Sequence, residues 1–479
     1  MKKHNKIRKQ DVEWRSERGQ NNRNDSHNYQ TADDQEGKPL QHYGLITATT
    51  MIIGIVIGSG IFFKSDDILS YTGGNLWLSI LVFCIGAFGI IFGSLSLTEF
   101  SIRTKKNGGV VGYFEDFISL KMSSGFGWFQ NFVYFPTLVS VISWVAGIYT
   151  CLLFKMDNNL ETQVAIGLFY MILFYSVNIF SVFIGGYFQN LSTFIKLIPL
   201  LGIAIISIFW TASAPELEEG IQLVSQFDVG FGWLAALAPI AFSFDGWVVA
   251  TSITNEVKNP NKNMTIALVV GPMIVLGVYL MYFLGLNRIL GAEYILSTGD
   301  DAVKKVGELL FGRYGESILL TFVLISVLGV INGVILGSLR MPYALASKRM
   351  LPYADKITRV NPRIQLSVWS CIISFVSSSV WMLIHYLVQK NNLLKGGDVS
   401  EISIIFSYLC YIILYVKVIK MRKDMIIHST FKGIICPVFA IIGATIIFIG
   451  GTMSNTVNVL LFLTLCVVIF AAGVLYYKE

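Results

Sequence analysis

From Leu45 to the end of the chain, apolar runs of about 20 residues alternate with short polar stretches, and an α-helix of that length crosses the hydrocarbon core of a bilayer. Twelve such runs are predicted as helices, near 45–64, 75–100, 126–154, 162–183, 188–210, 232–253, 264–287, 315–345, 365–388, 399–419, 432–451 and 456–477. Two are interrupted. The first carries Gly54-Ile55-Val56-Ile57-Gly58-Ser59-Gly60-Ile61-Phe62, and the sixth carries Phe242-Ser243-Phe244-Asp245-Gly246-Trp247. Lipid offers no hydrogen bonds, so an unwound segment at membrane depth must be buried in protein or line a wet cavity, where its bare amides and carbonyls hold a polar ligand. Gly54 and Gly58 also fit a small-xxx-small packing pattern, and the first run alone leaves both readings open. The breaks stand five helices apart, however, which is the mark of a five-helix inverted repeat whose discontinuous first helices meet at the bilayer midplane.

The expected fold is therefore an all-α polytopic membrane protein of 12 transmembrane helices: a 5+5 inverted repeat with helices 1 and 6 broken, plus two extra helices. Residues 1–42 are polar, with almost no aliphatic side chains, and read as a disordered cytoplasmic tail. Residues 43–210 form the first repeat, 211–231 an extracellular loop, 232–420 the second repeat, and 421–479 the last two helices with a short cytoplasmic end. Lys and Arg number nine in the tail, whereas all the loops on the opposite side carry eight. The positive-inside rule then puts both termini in the cytoplasm of a multi-pass cell-membrane protein.

Composition agrees with this picture: 54% of the 479 residues are hydrophobic, 14% are charged, and the mean hydropathy is +0.63. The six cysteines lie in or beside apolar runs without pairing or metal-ligand spacing, so they read as packing residues. His385 is the only histidine in a predicted span. No metal or cofactor site is expected, no nucleic-acid partner is needed for a net charge of +6, and no nucleophile–base pair points to an enzyme. Polar groups cluster at one depth and do not line a continuous path, which disfavours a channel.

The two breaks define what is bound. Unwinding at Gly58, Ser59 and Gly60 starts the second half of span one with free amides and the positive end of its dipole, which suits a carboxylate. Free carbonyls near Val56 and Ile57, and near Phe242, Ser243 and Asp245 in span six, suit an ammonium group. An α-amino acid satisfies both sets. Ile61 and Phe244 are substrate-binding candidates with them, and Phe242 and Trp247 are candidate gates over the site, simple aromatic packing being the other reading.

Together with Thr254-Asn255-Glu256-Val257-Lys258-Asn259-Pro260, Gly108-Gly109-Val110-Val111-Gly112-Tyr113, Lys196-Leu197-Ile198-Pro199-Leu200 and Asn332-Gly333, these two motifs resemble the amino acid-polyamine-organocation superfamily. Within it they are most similar to the L-type amino acid transporter family, including bacterial serine/threonine and alanine/serine/cysteine exchangers. The resemblance covers about residues 43–420. It implies that Ser59 and Gly60 receive the substrate carboxylate, and that carbonyls near Val56, Phe242 and Asp245 receive its amine. Eukaryotic members bind a glycoprotein heavy subunit through an outer-loop cysteine; Cys151 sits at the end of a span, so no such partner is expected. Asn255, Val110-Val111 and Met264-Thr265 depart from the family pattern and leave the substrate class open, and oligomeric state is not legible.

Lys196 falls within span five, where an unpaired ammonium costs about 2.5–3.5 kcal/mol on insertion scales. Either it snorkels to the cytoplasmic face, or, as in sodium-independent members of the superfamily, it stands in for a sodium ion beside the unwound part of span one. Asp245 either serves the site or caps the second half of span six. The function expected from all this is a sodium-independent secondary transporter of α-amino acids, neutral ones foremost. It would work by alternating access, as an exchanger or proton-coupled symporter. The alternative is a membrane receptor or sensor that binds an amino acid without carrying it.

Overall fold

The computed structural model describes residues 44–477 apart from 59, 105–108, 181–187, 189–190, 193, 251–256, 365 and 454–455. The predicted tail, Ser59, and the Thr254-Asn255-Glu256 part of the family motif thus lie outside the described residues. The first apolar run folds as α1 (Leu45–Val56), α2 (Gly60–Phe63) and α3 (Ser65–Tyr71), and the second as α4 (Leu76–Ser101). After α5 (Gly109–Phe117), α6 (Leu120–Phe129) continues through a π-turn at Gln130–Tyr134 into α7 (Phe135–Phe154), followed by α8 (Leu160–Phe180) and α9 (Leu197–Ile208). The sixth run gives α10 (Leu237–Ser243) and α11 (Trp247–Ala250), and the seventh α12 (Pro260–Leu290). Short helices α13 (Ala292–Thr298) and α14 (Ala302–Phe311) lead to α15 (Gly315–Ser347), α16 (Ala354–Ile357) and a two-stranded ribbon, Val360–Asn361 with Leu366–Ser367. The chain ends with α17 (Val368–Lys390), α18 (Val399–Lys423), α19 (Cys436–Met453) and α20 (Thr456–Tyr476).

Among the described residues, nine helical stretches are long and apolar enough to cross a membrane; α1, α9 and the Gly230–Ser243 stretch are shorter apolar helices. This is a polytopic membrane protein. Its outer faces carry large apolar side chains, among them Phe194 and Ile205 near or on α9 and Leu461 and Val468 on α20, which in lipid need no cover. Several buried hydroxyls bond back one turn, as Ser94 Oγ does to Ile90 O and Thr98 Oγ1 to Ser94 O. Asn75 starts α4 by accepting from the amides of Trp77 and Leu78, and Asp398 starts α18 by accepting from those of Ser400 and Glu401.

Two groups of helices emerge from the packing. In one, α1 lies against α12, α4 against α12 and α19, and α11 against α1. In the other, α7 packs on α8, α15 and α17. Helix α9 contacts α12 and α15, and α18 contacts α10 and α7, so these two helices join the groups. Within the second group small residues allow close approach: a Cβ on Gly147 would lie 2.0 Å from Gln163 O across the α7–α8 seam.

Candidate functional site

Helix α1 stops because Ile57 turns extended, at φ −66° and ψ 100°, and helical structure resumes at Gly60. Helix α10 stops at Ser243, and the chain passes through a turn in which Gly246 has φ +93°, a conformation that favours glycine. The two interruptions touch. A Cβ on Gly60 would lie 2.7 Å from Ser243 Cα and 2.9 Å from Phe242 Cδ1, so only glycine lets the second half of span one reach α10 here. A second approach is made by Gly246, whose Cβ would lie 3.3 Å from Ile55 O.

A residue that the sequence reading did not single out ties the carbonyl ends together. The Tyr279 hydroxyl of α12 lies 2.9 Å from Ser243 O and 3.2 Å from Val56 O, a forked donor to the last turns of both α10 and α1. Each carbonyl keeps a second lone pair, so an incoming ammonium group can share these oxygens. Lys196, buried just before α9, donates to Gly54 O at 2.7 Å and so links that helix to the last turn of α1. Its ammonium faces backbone in the protein interior, where a snorkelling lysine would reach for the membrane surface.

Of the span-six residues, Phe242 lies at the junction, with its ring edge against Gly60. Ser243 presents its carbonyl to Tyr279, while its hydroxyl bonds back to Pro239 O at 2.8 Å. Phe244 turns toward α12 and packs on Tyr279 with ring centres 5.0 Å apart. Trp247 is buried against Tyr411 and Tyr408 of α18, at 5.7 and 6.5 Å. Asp245 accepts from the Tyr134 hydroxyl at 2.5 Å, across to the π-turn between α6 and α7; such a turn leaves one extra residue in the helix and often marks functional positions. Val56, Ile57 and Ile61 are buried, and Gly58 joins α1 to α2. The geometry thus gathers Val56, Gly60, Phe242, Ser243 and Lys196 around the crossing, adds Tyr279 and Tyr134, and sets Phe244 and Trp247 to its sides.

Two interrupted helices touch in the interior of an apolar bundle, with carbonyls at their ends and a lysine ammonium bonded to the last turn of the first, an arrangement that fits a membrane transport protein. The chain matches the amino acid permease family over residues 43–477 and belongs to it, within the amino acid-polyamine-organocation superfamily. It is similar to the serine/threonine exchanger SteT of Bacillus subtilis, 28% identical over 79% of this chain and 83% of the relative. It is also similar to the human large neutral amino acids transporter small subunit 2, at 27% identity over 74% and 68% of the two chains. The human b(0,+)-type amino acid transporter 1 matches at 24% identity over 95% and 91%. These relatives are transporters, and amino acid transport, not enzymatic chemistry, is the activity of this class.

Proposed function

We propose that this protein is a sodium-independent exchanger of neutral α-amino acids that works by alternating access. The observation that carries the reading is the contact of the two helix breaks at Gly60 and Ser243, with the Lys196 ammonium 2.7 Å from Gly54 O. In this scheme the amides from Ser59 and Gly60 onward hold the substrate carboxylate, and the carbonyls of Val56, Ile57, Phe242, Ser243 and Asp245 hold its amine. An analogue lacking either charge leaves buried dipoles unpaired and is rejected. Lys196 supplies a fixed positive charge beside α1, so no sodium ion is required there, and Phe242 closes over the bound molecule.

The twelve spans form two five-helix repeats with α19 and α20 outside them, and both termini are cytoplasmic in the cell membrane. Cys151 is buried within α7, which supports a carrier without a disulfide-linked heavy subunit. Exchange is preferred over proton symport because one of the relatives above is named an exchanger.

The test is uptake of labelled L-serine, L-threonine, L-alanine and L-leucine into proteoliposomes. Vesicles preloaded with unlabelled amino acid are compared with empty ones, with and without sodium and a pH gradient. Uptake that needs internal amino acid and ignores sodium is expected. Uptake into empty vesicles driven by a proton gradient would replace exchange with symport, and saturable binding without flux would replace transport with sensing.

A further inference from the structure

Beyond the crossing, the second half of span one carries a lysine that the substrate site does not use. Lys64, at the junction of α2 and α3, is 2% exposed, and its Nζ lies 2.7 Å from Glu401 Oε1, 2.9 Å from Asp398 Oδ2 and 3.0 Å from Asp67 Oδ2. Asp67 belongs to α3, one turn on, whereas Asp398 and Glu401 form the first turn of α18, more than 300 residues away. Asp398 serves twice, since its other oxygen accepts from the amides of Ser400 and Glu401 that open α18. The same ammonium group lies 5.9 Å from the centre of the Phe242 ring, within cation–π range, and that ring rests on Gly60. One side chain therefore touches the interrupted span one, the start of α18, and the aromatic residue over the crossing.

Resting on the carrier reading and on the charge count that puts this end of the bundle outside, we propose that Lys64 is a positioning residue of the outer gate. Its ion pairs with Asp398 and Glu401 latch span one to α18 in the closed state and break to admit an amino acid from outside.

The physical case is that buried ion pairs are poor glue and good latches. Dehydrating four charged groups costs about as much as their attraction returns, so apolar side chains of similar volume would hold these helices at least as well. What an ion pair adds is a hydrated alternative: when the helices part, water solvates each charge, and the gap between closed and open states stays small. An apolar seam of the same area has no such compensation. The pair Arg103 and Glu99 differs, for it lies four residues apart at the end of α4 and its bond stays within that stretch of chain.

If the latch holds the outer gate shut, removing its cation raises the population open to the outside. Apparent affinity scales with the fraction of competent molecules, so the two faces must respond in opposite senses. The experiment uses the full-length protein and whichever of L-serine, L-threonine, L-alanine or L-leucine the wild type exchanges best. KM is measured from outside in intact cells and from inside in inverted vesicles. Lys64→Gln is expected to lower the external KM and raise the internal one, by about tenfold in their ratio, equivalent to about 1.4 kcal/mol. Lys64→Arg keeps the charge and is expected to stay near wild type. Glu401→Gln, which leaves Asp67 and Asp398 on the lysine, should shift the ratio the same way by about threefold and serves if Lys64→Gln does not fold. KM values unchanged from wild type on both faces, or a shift of both in one direction, overturn the latch, as does a fall in Vmax alone, which is what a purely structural role produces. A wild type that transports nothing would instead fail the carrier reading.

Discussion

Where span one and span six break, the polar atoms that meet are backbone atoms; where α7, α8, α15 and α17 run unbroken, they are side-chain hydroxyls and amides. In the unbroken group Tyr175 Oη lies 2.7 Å from Ser374 Oγ and 2.9 Å from Ser378 Oγ, Ser338 joins Ser374, and Asn178 Nδ2 donates to Asn332 Oδ1 at 2.9 Å. The helices there run on continuously, α15 through Pro342, and these side chains pair across the seams. At the crossing, Val56 O and Ser243 O have left their ladders and share one tyrosine hydroxyl, while Gly54 O receives a lysine. A ligand with an ammonium group competes for those oxygens. In the proposed function, one half of the bundle offers its backbone to a substrate and the other serves as a frame.

Substitutions break this comparison in graded ways. Gly60→Ala has the largest expected effect, because the added methyl would sit 2.7 Å from Ser243 Cα, a backbone atom with no rotamer to change. Separating the two breaks by even an ångström is expected to cut exchange about a hundredfold, with the folded protein still recovered as a monodisperse peak in detergent. Lys196→Ala comes next. It removes a charge-assisted bond to Gly54 O and is expected to reduce exchange about tenfold or more. External sodium should restore activity only if the vacated space can take a cation, so uptake by the variant with and without sodium sharpens the assignment.

Much of the helical architecture was legible because lipid makes the pattern strict: an apolar run of about 20 residues has few alternatives to a helix. The breaks were legible for the same reason, as glycine, serine and aspartate stand out where everything else is apolar. Partners were another matter. Tyr279 lies in the middle of a long apolar helix and gives no periodic signal that it spans both α1 and α10. Tyr134 depends on a π-turn that no spacing of residues announces. Lys64 finds Asp398 and Glu401 across a separation of more than 300 residues. Phe242 faces Gly60 from the last turn of α10, Phe244 at its end turns to α12, and Trp247, beyond the turn at Gly246, reaches α18.

Tyr279→Phe probes the shared hydroxyl directly. The ring remains to pack on Phe244 and Phe83, while Val56 O and Ser243 O lose their common donor. Net loss of one hydrogen bond is expected to change the substrate KM by about threefold, measured in preloaded vesicles. An increase means that the hydroxyl holds the carbonyls in place for the substrate ammonium; a decrease means that it competes with that ammonium for them.

Asn332→Leu tests the frame, and its effect should be the smallest on transport. Asn332 is fully buried in α15, and its side-chain oxygen accepts from Asn178 of α8. Interhelical hydrogen bonds in membranes contribute about 0.6 kcal/mol on average, since the separated helices find other partners, and leaving the buried Asn178 amide with one acceptor fewer adds to the loss. A fall in thermal stability worth about 1 kcal/mol is therefore expected, read as a lower unfolding midpoint in detergent, with KM on both faces unchanged. If KM moved as well, the frame would be part of the moving machinery, and the division between a backbone-presenting half and a side-chain-paired half would have to be redrawn around α8 and α15.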